Sequence, residues 1–554
     1  MKTKNLRSEL LAPAGSLDKL KTAIAYGADA VYIGTPDLSL RTKSQVTLED
    51  LQEGIEYTHK YGKKLYLTLN LFSHNKDIEK LPKFLATINK IKPDGVIVAD
   101  PGIFQYLKER TSDIELHIST QANICSWLSV KYWHDQGADL CVMARETSFA
   151  ELKEIKEKCP DIKIETFIHG AMCMTYSGRC LLSNFMSERG ANQGNCAHSC
   201  RWHYKLHLKL RDGTIKELEI NEENQNLFEF LLEEEYRPGE FMPIEEDLRG
   251  SYILNAKDLC LMPKLNQYLE IGIDSLKIEG RNKSEYYLAI ATRAYRMAMD
   301  DWAKDPENWQ ADKYLAELDT LANRGYSLAF HEGRLTNYGH NYESAKSAAK
   351  WEFAGVISAV YDDYFILEVK NRLTAGDVLE FVPPAPYPTI LLRLYDFHLV
   401  ARDAKNEDKI VTVVNPGFKP QIKIHYKLFT KENLTEIKQI LGKYVVVRKD
   451  KPLTQEEFTR LKLDKEARKL EQDKGSKSKF DKLQNELVAS KNQPSKNDLV
   501  KAPRIGAEGC CGKGCNGCLI FWHDAKYSKA RELLKKKKMG QMLTTIEANT
   551  ESLL

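Results

Sequence analysis

Seven short apolar runs recur along the first third of the chain, ELLAPAG, AVYIG, KLYLTLN, GVIVAD, IELHIST, LCVMAR and IETFIHG, each followed by an amphipathic segment or a turn. Runs rich in Val, Ile and Leu without polar alternation are what strands buried on both faces of a parallel sheet require. An eighth run, DSLKIEG at 274–280, comes after an insertion that ends near YILNAKDL. Eight β-α units predict an α/β chain, a (β/α)8 TIM-like barrel. The competing doubly wound open sheet carries a GxGxxG turn after its first strand, and LAPAGS offers no equivalent.

A chain of 554 residues exceeds what one hydrophobic core serves. The barrel is expected over residues 1–330, closed by helical patterns near 283–303 and 309–323, with a cysteine-bearing insertion after the seventh strand at 171–252. From 350 to 432 the pattern changes to alternating strands such as EFAGVISAVY, YFILEVK and QIKIHYKLFT, with AGD, PPAP and NPG turns between strands. This predicts a small antiparallel β-barrel domain. Residues 449–502 are charged, lysine-rich and poor in aromatics, which reads as a linker, and 503–554 form a Cys-rich basic C-terminal module. The net charge of +3 divides unevenly, because residues 449–554 carry 23 Lys+Arg against 15 Asp+Glu. A basic tail suits a polyanionic partner and equally suits solubility. No window reaches the length of a bilayer-spanning helix and the N-terminus has no apolar signal core, so a cytoplasmic protein without a membrane partner is expected.

In a reducing compartment, twelve cysteines act as ligands, reactive thiols or small hydrophobes rather than bridges. Cys125, Cys141, Cys159 and Cys260 sit singly in strand or helix patterns and read as structural. Cys173, Cys180, Cys196 and Cys200 cluster in the stretch that interrupts the β-α repeat. Soft thiolates at that density select zinc or iron-sulfur chemistry, and their intervals lack the paired knuckles of a structural zinc site. An iron-sulfur cluster is the better fit and zinc the alternative. The terminal CCGKGCNGC supplies a second set, Cys510, Cys511, Cys515 and Cys518, for a second cluster or zinc. Three of these have the CxxxCxxC spacing of radical SAM enzymes, but they fall too late in the chain for that identity. Phe521, Trp522 and Tyr527 followed by Lys535–Lys538 read either as an RNA-docking appendage or as an amphipathic helix with solvated lysines.

Reactive groups of such a barrel sit at the C-terminal ends of its strands. This rule selects His169, Asn70, Gln121 and Glu279 as catalytic candidates, with His74, Asp100, Asn123 and Glu146 at neighbouring rim positions. Arg41, Arg145 and Arg281 are candidates to grip a substrate carboxylate or phosphate bidentately. A polar residue ending a strand is also often a helix cap, and surface arginines often form only ion pairs.

Glu165, Phe167, Gly170, Cys173, Gly178, Cys180 and Ser183 stand at the spacings of the collagenase-like peptidase family, number 32 among those of unknown catalytic type. The chain resembles that family from about residue 6 to 430, including ELLAPAGSLDKLKTAIAYGADAVYIG, NQGNCAHSCRW and SLKIEGRNKSEYY. The resemblance implies a prephenate-dependent hydroxylation of the tRNA wobble uridine to 5-hydroxyuridine, with tRNA and prephenate as partners. Other members hydroxylate ribosomal RNA or ubiquinone precursors. It also implies a 4Fe-4S cluster on Cys173, Cys180 and Cys196, with Cys200 as fourth ligand and Cys260 as its alternative. A peptidase, as the family name states, is the competing enzyme, yet no HExxH, GxSxG or Ser/His/Asp order is present. A non-catalytic RNA-binding or assembly factor carrying clusters is the third reading.

Overall fold

A computed structural model describes residues 8–35, 46–71, 73–173, 175–180, 182–187, 196–197, 199, 256–333, 350–400, 409–417, 419–429 and 434–450. It also describes the backbone of five short strands between 207 and 252. Eight parallel strands form its centre: β1 (Glu9–Ala14), β2 (Ala30–Gly34), β3 (Lys64–Leu69), β4 (Gly95–Val98), β5 (Glu115–Ile118), β6 (Leu140–Val142), β7 (Lys163–Gly170) and β8 (Ser275–Ile278). Each pairs with the next, and β8 pairs with both β7 and β1, so the sheet closes into the expected barrel. The strands are buried almost throughout, as strands with a core on both faces must be.

Helices α1 (Leu17–Ala25), α2 (Leu48–Lys60), α3 (Leu81–Ile91), α4 (Pro101–Lys108), α5 (Trp127–Asp135), α6 (Phe149–Lys158), α7 (Leu265–Glu270) and α8 (Glu285–Lys304) complete the repeat. Side-chain caps set several of their starts. Ser16, Thr47, Asp100, Ser126, Ser148 and Ser284 accept hydrogen bonds from first-turn amides. Asp100, a rim candidate in the sequence, accepts from Gly102 N at 2.8 Å and Ile103 N at 3.0 Å and so serves as a cap. His74 has a comparable place, its backbone N donating to Asp77 Oδ2 at 3.0 Å.

Beyond the barrel lies an antiparallel half-barrel built from β9 (Trp351–Val360), β10 (Tyr364–Val369), β11 (Val378–Val382), β12 (Ile390–Arg393), β13 (Phe397–Leu399), β14 (Lys409–Val411), β15 (Gln421–His425) and β16 (Val446–Asp450). The spatial order is β12-β11-β16-β9-β10-β15-β13-β14. The last strand in sequence therefore sits inside the sheet, beyond residue 432, where the alternating pattern was expected to stop. Its VVVRKD run is short and opens straight into charge, which hides it among linker-like residues. Phe365, Leu367, Phe381, Ile422 and Val447 point into a core separate from that of the barrel.

Helix α8 joins the two. Thirteen of its twenty residues are buried, more than one amphipathic stripe demands, because the helix is covered on opposite sides. Its Arg293 donates to the carbonyls of Pro383 and Tyr387 at 2.9 and 2.7 Å, while Arg296 pairs with Asp29 at 2.9 Å. Tyr26, at the end of α1, donates its hydroxyl to Val382 O at 2.5 Å and accepts from Val446 N at 3.0 Å.

A second compact unit includes residues 201–255. Its described backbone forms a hairpin, His207–Lys209 with Ile215–Glu217, and a three-stranded antiparallel sheet, Phe230–Glu233, Phe241–Asp247 and Gly250–Tyr252. The predicted Cys-rich module and most of the predicted linker fall at 451–554, outside the described residues.

Candidate active site

Period-two alternation along β7 and β8 turns Glu165, Phe167, Ser275 and Lys277 to the same side of the sheet. Lys277 Nζ and Glu165 Oε1 meet at 2.6 Å, with both side chains buried. Ser275 Oγ donates to Glu165 Oε2 at 2.9 Å and stands 3.3 Å from Glu9 Oε1, which links the pair to a second buried carboxylate held by Tyr66 OH at 2.9 Å. Burial pushes the Glu9 carboxyl above its ordinary range. Burial likewise lowers the Lys277 ammonium against the opposing pull of Glu165. Removing two charges from water is costly, so a pair this deep persists only because each partner is also satisfied by further contacts.

Above the pair lies an aromatic and cationic surface. Lys277 Nζ is 4.4 Å from the Tyr32 ring centre and 5.6 Å from that of Phe167. The Arg145 guanidinium lies over Phe167 at 4.2 Å, and that of Arg281 stands 5.8 Å from Tyr32 while donating to Thr68 Oγ1 at 2.8 Å. Arg281 is near enough to Lys277 to disfavour its protonation. Like charges gathered on one desolvated floor are relieved by an anion, and two guanidinium groups present forks that match carboxylate or phosphate oxygens. Among the described residues no carboxylate pairs with Arg145. Two of the three predicted arginines therefore meet at one surface; Arg41 lies outside the described residues.

The remaining rim candidates divide. Asn70 Nδ2 reaches Ser119 Oγ at 3.4 Å, and the same hydroxyl accepts from Gln121 N at 3.3 Å, so the rims of β3 and β5 are tied together. Gln121 Oε1, Asn123 Nδ2 and Glu146 Oε2 are buried without a hydrogen-bond partner among the described residues. Glu279 is buried next to the bend at Gly170, where φ is +126° and an added Cβ would lie 2.7 Å from Glu279 Cβ.

His169 is set apart from this group. A register shift between Lys277 and Ile278 falls opposite Phe167 and His169. The imidazole lodges between Tyr287, Tyr295 and Tyr326 at 5.3–5.8 Å. Burial lowers its pKa to about 4, so it is neutral at physiological pH. It therefore stands in the layer with the tyrosines of α8, not beside Lys277.

The segment after β7 folds back across the rim. Ser177 N donates to Glu146 Oε1 at 2.8 Å. Gly178, at φ +75°, presses on Gln121 so closely that a Cβ there would meet the Gln121 carbonyl oxygen at 2.5 Å. This pins the stretch from Cys173 to Cys180 against the ends of β5 and β6. Cys173 is exposed, Cys180 and Cys196 are half-buried, and none of the three is in a disulfide. Cys196 is anchored through Ala197 N, which donates to Ser183 Oγ at 2.8 Å. By chemistry these thiols suit a soft metal or cluster. Among the described residues, no three Cys, His, Asp or Glu side chains are gathered closely enough to hold a metal ion. Cys200, Cys510, Cys511, Cys515 and Cys518 lie outside the described residues. Cys260 pairs through its backbone with His169, and its thiol is buried 3.8 Å from Tyr295 OH.

Sequence reasoning named Arg145 and Arg281 but passed over Lys277, Tyr32 and Thr68 as strand residues. A lysine inside the apolar run SLKI, opposite a glutamate inside IETFI, is the signal that marks the buried pair.

Residues 15–341 match peptidase family U32. The chain is 39% identical over 382 residues to tRNA hydroxylation protein P1 of Bacillus subtilis, covering 68% of this chain and 84% of that protein. It is 32% identical to the 23S rRNA 5-hydroxycytidine C2501 synthase of Escherichia coli, over 67% of this chain and 52% of that enzyme. It is also 30% identical to a collagenase of Porphyromonas gingivalis, over 62% of this chain and 78% of that protein. With a closed β/α barrel, the signature segment folded over its rim and identity running through both, the chain belongs to peptidase family U32.

Proposed function

We propose that this protein is an RNA-modifying hydroxylase, and more specifically that it converts the wobble uridine of tRNA to 5-hydroxyuridine with prephenate as co-substrate. The observation that carries this reading is the 39% identity extending over 84% of a tRNA hydroxylation protein. The 23S rRNA synthase adds a second relative named for RNA hydroxylation. The barrel mouth supports it chemically. Prephenate is a dicarboxylate, and Arg145 and Arg281 offer two guanidinium forks flanking the Tyr32, Lys277 and Phe167 surface. Glu165 pairs with Lys277 and so offsets part of the repulsion between that lysine and Arg281. Gln121, Asn123 and Glu146 provide buried polar atoms suited to the edge of an extruded base.

Cys173, Cys180, Cys196 and Cys200 would hold a 4Fe-4S cluster, and the first two of them bound the segment pinned across that mouth. When bound, such a cluster supplies electron transfer or Lewis-acid chemistry. A second metal, iron-sulfur or zinc, is assigned to Cys510, Cys511, Cys515 and Cys518. Nucleoside mass analysis of tRNA from a strain lacking the protein, complemented with wild-type or Cys173→Ala chain, tests the reading. Loss of 5-hydroxyuridine derivatives, restored by wild type and not by the variant, is expected; their persistence in the deletion strain overturns it.

Peptidase activity is the second reading, favoured by the similarity to a collagenase. Thiol proteolysis requires a histidine beside the nucleophile. Cleavage of a peptide that survives iron chelation and vanishes when a single cysteine is replaced would establish it instead.

A further inference from the structure

The inside of a closed β/α barrel is ordinarily filled by layers of branched apolar side chains. Here Leu10, Leu116, Ile164 and Leu276 belong to the core beneath the helices, so the residues flanking each of them turn inward. The apolar side chains that turn inward form a small separate cluster, Leu11, Ala30 and Ile97 with the rings of Tyr32 and Tyr66. Between β1, β7 and β8 the inward positions are polar instead, Glu9, Ser275, Glu165 and Lys277.

These four side chains touch in succession from one end of the barrel toward the other. Glu9 and Ser275 open β1 and β8 and are paired in register. Ser275 Oγ stands 3.3 Å from Glu9 Oε1 and 2.9 Å from Glu165 Oε2, and Lys277 Nζ donates to Glu165 Oε1 at 2.6 Å. Lys277 ends beneath the Tyr32 and Phe167 rings that floor the mouth. The opposite end meets water. Glu9 is the one member of the four that is not fully enclosed. Lys64 and Lys163, which open β3 and β7, bear on it electrostatically, and their side chains are 43% and 47% exposed where they pair with Glu115. His117, held by Glu115 at 2.9 Å, also acts on Glu9.

Ser275 has a single hydroxyl proton and faces two carboxylate oxygens. With both carboxylates ionised, one of these contacts holds no proton and two negative charges oppose each other across one oxygen. A proton on Glu9 completes the set, because Glu9 then donates to Ser275 and Ser275 to Glu165. Burial and the Glu165 charge both favour that proton, against Tyr66, Lys64 and His117. Stability alone does not account for the arrangement, since apolar packing of similar volume serves a barrel core as well or better than buried charge.

We propose that Glu9, Ser275, Glu165 and Lys277 form a proton path along the inside of the barrel, joining water at the N-terminal ends of the strands to the floor of the mouth. Inward, the Glu9 proton passes to Ser275 Oγ while the Ser275 hydroxyl proton passes to Glu165 Oε2. A half-turn of the Glu165 carboxyl then presents that proton to a neutral Lys277 Nζ, and the reverse sequence carries a proton out. The use of the path rests on the RNA-hydroxylase reading: an RNA seated on the mouth closes the direct route to water, so a proton gained or lost beneath it needs a second outlet.

The test uses the full chain with isotope-labelled lysine side-chain nitrogens. NMR reads how fast the Lys277 Nζ protons exchange with water, the signal being identified by its loss in Lys277→Arg. Ser275→Ala and Glu9→Gln should each slow that exchange about a hundred-fold, the low end of what a positioned proton-transfer group contributes. Ser275→Thr, which returns a hydroxyl to the same place, should restore it. Melting temperatures confirm that the variants are folded. Unchanged exchange in Ser275→Ala and Glu9→Gln overturns the path. Exchange as slow in Ser275→Thr as in Ser275→Ala also overturns it, because packing rather than the hydroxyl would then set the rate. Single-turnover hydroxylation of a tRNA transcript with prephenate keeps the two readings separate. Ser275-dependent exchange in a chain that forms no 5-hydroxyuridine retains the path and removes the hydroxylase reading. Hydroxylation at the wild-type rate in both variants, with exchange unchanged, does the reverse.

Discussion

At the scale of single residues, a buried ion pair and a buried imidazole set the behaviour of the barrel. Lys277 and Glu165 are each satisfied only by the other and by near neighbours, so removing one leaves the other charged in a dry site. Lys277→Met and Glu165→Gln are each expected to cost about 3–5 kcal/mol in denaturant unfolding. The double variant should recover part of that loss; a strictly additive loss would sink the idea that the pair is one coupled unit. His169 makes the second case. Its folded-state pKa is depressed to about 4 from 6.5 by burial, so between those values the unfolded chain binds more protons than the folded one. Stability therefore falls as pH drops through that window, by up to about 3 kcal/mol from this group alone. His169→Phe keeps the ring among the three tyrosines and should flatten the slope between pH 6.5 and 4. An unaltered pH profile of unfolding would place the titrating group elsewhere.

At the scale of elements, the segment following β7 matters most. It is short and glycine-bearing, yet two contacts fix it: Ser177 N to Glu146 Oε1 and Gly178 against Gln121. A side chain at 178 faces both a positive φ and a backbone oxygen at 2.5 Å, so the turn must move to accept one. Gly178→Ala is expected to speed amide hydrogen exchange at Ser177 by about ten-fold, with the barrel melt little changed. Exchange equal to wild type would mean that the segment is not held through this glycine. The repeat of strand and helix was legible because both periods are written in the apolar residues. What could not be read was where a strand bulges. The register shift at Lys277/Ile278, which faces Phe167 and His169, leaves no mark in the composition of IETFIHG or SLKIEG.

For the molecule as a whole, buried polar contacts join the barrel to the half-barrel. Tyr26 OH lies between Val382 O and Val446 N, and Arg448, forked to Glu380 within the half-barrel, also reaches Tyr286 OH of α8 at 3.5 Å. Tyr26→Phe strands a buried amide and carbonyl at that junction and should cost about 1–3 kcal/mol in global unfolding. The loss should register alike in probes of α8 and of β16, measured by hydrogen exchange. Loss confined to β16 would show instead that the two bodies unfold independently. No helix among the described residues is long and apolar enough to cross a membrane.

The sequence by itself determined the barrel, the change to alternating strands after 350 and the membership carried by the signature around Cys173, because hydrophobic period and residue spacing are local quantities. It also named Arg145 and Arg281, since strand ends are countable. Only the tertiary structure decided which rim residues share a surface. It seated Lys277 against Glu165 from strands more than a hundred residues apart, withdrew His169 among tyrosines, and brought β16 into the half-barrel from beyond the alternating run. Those outcomes depend on register, closure and burial, and each is set by partners distant in the chain.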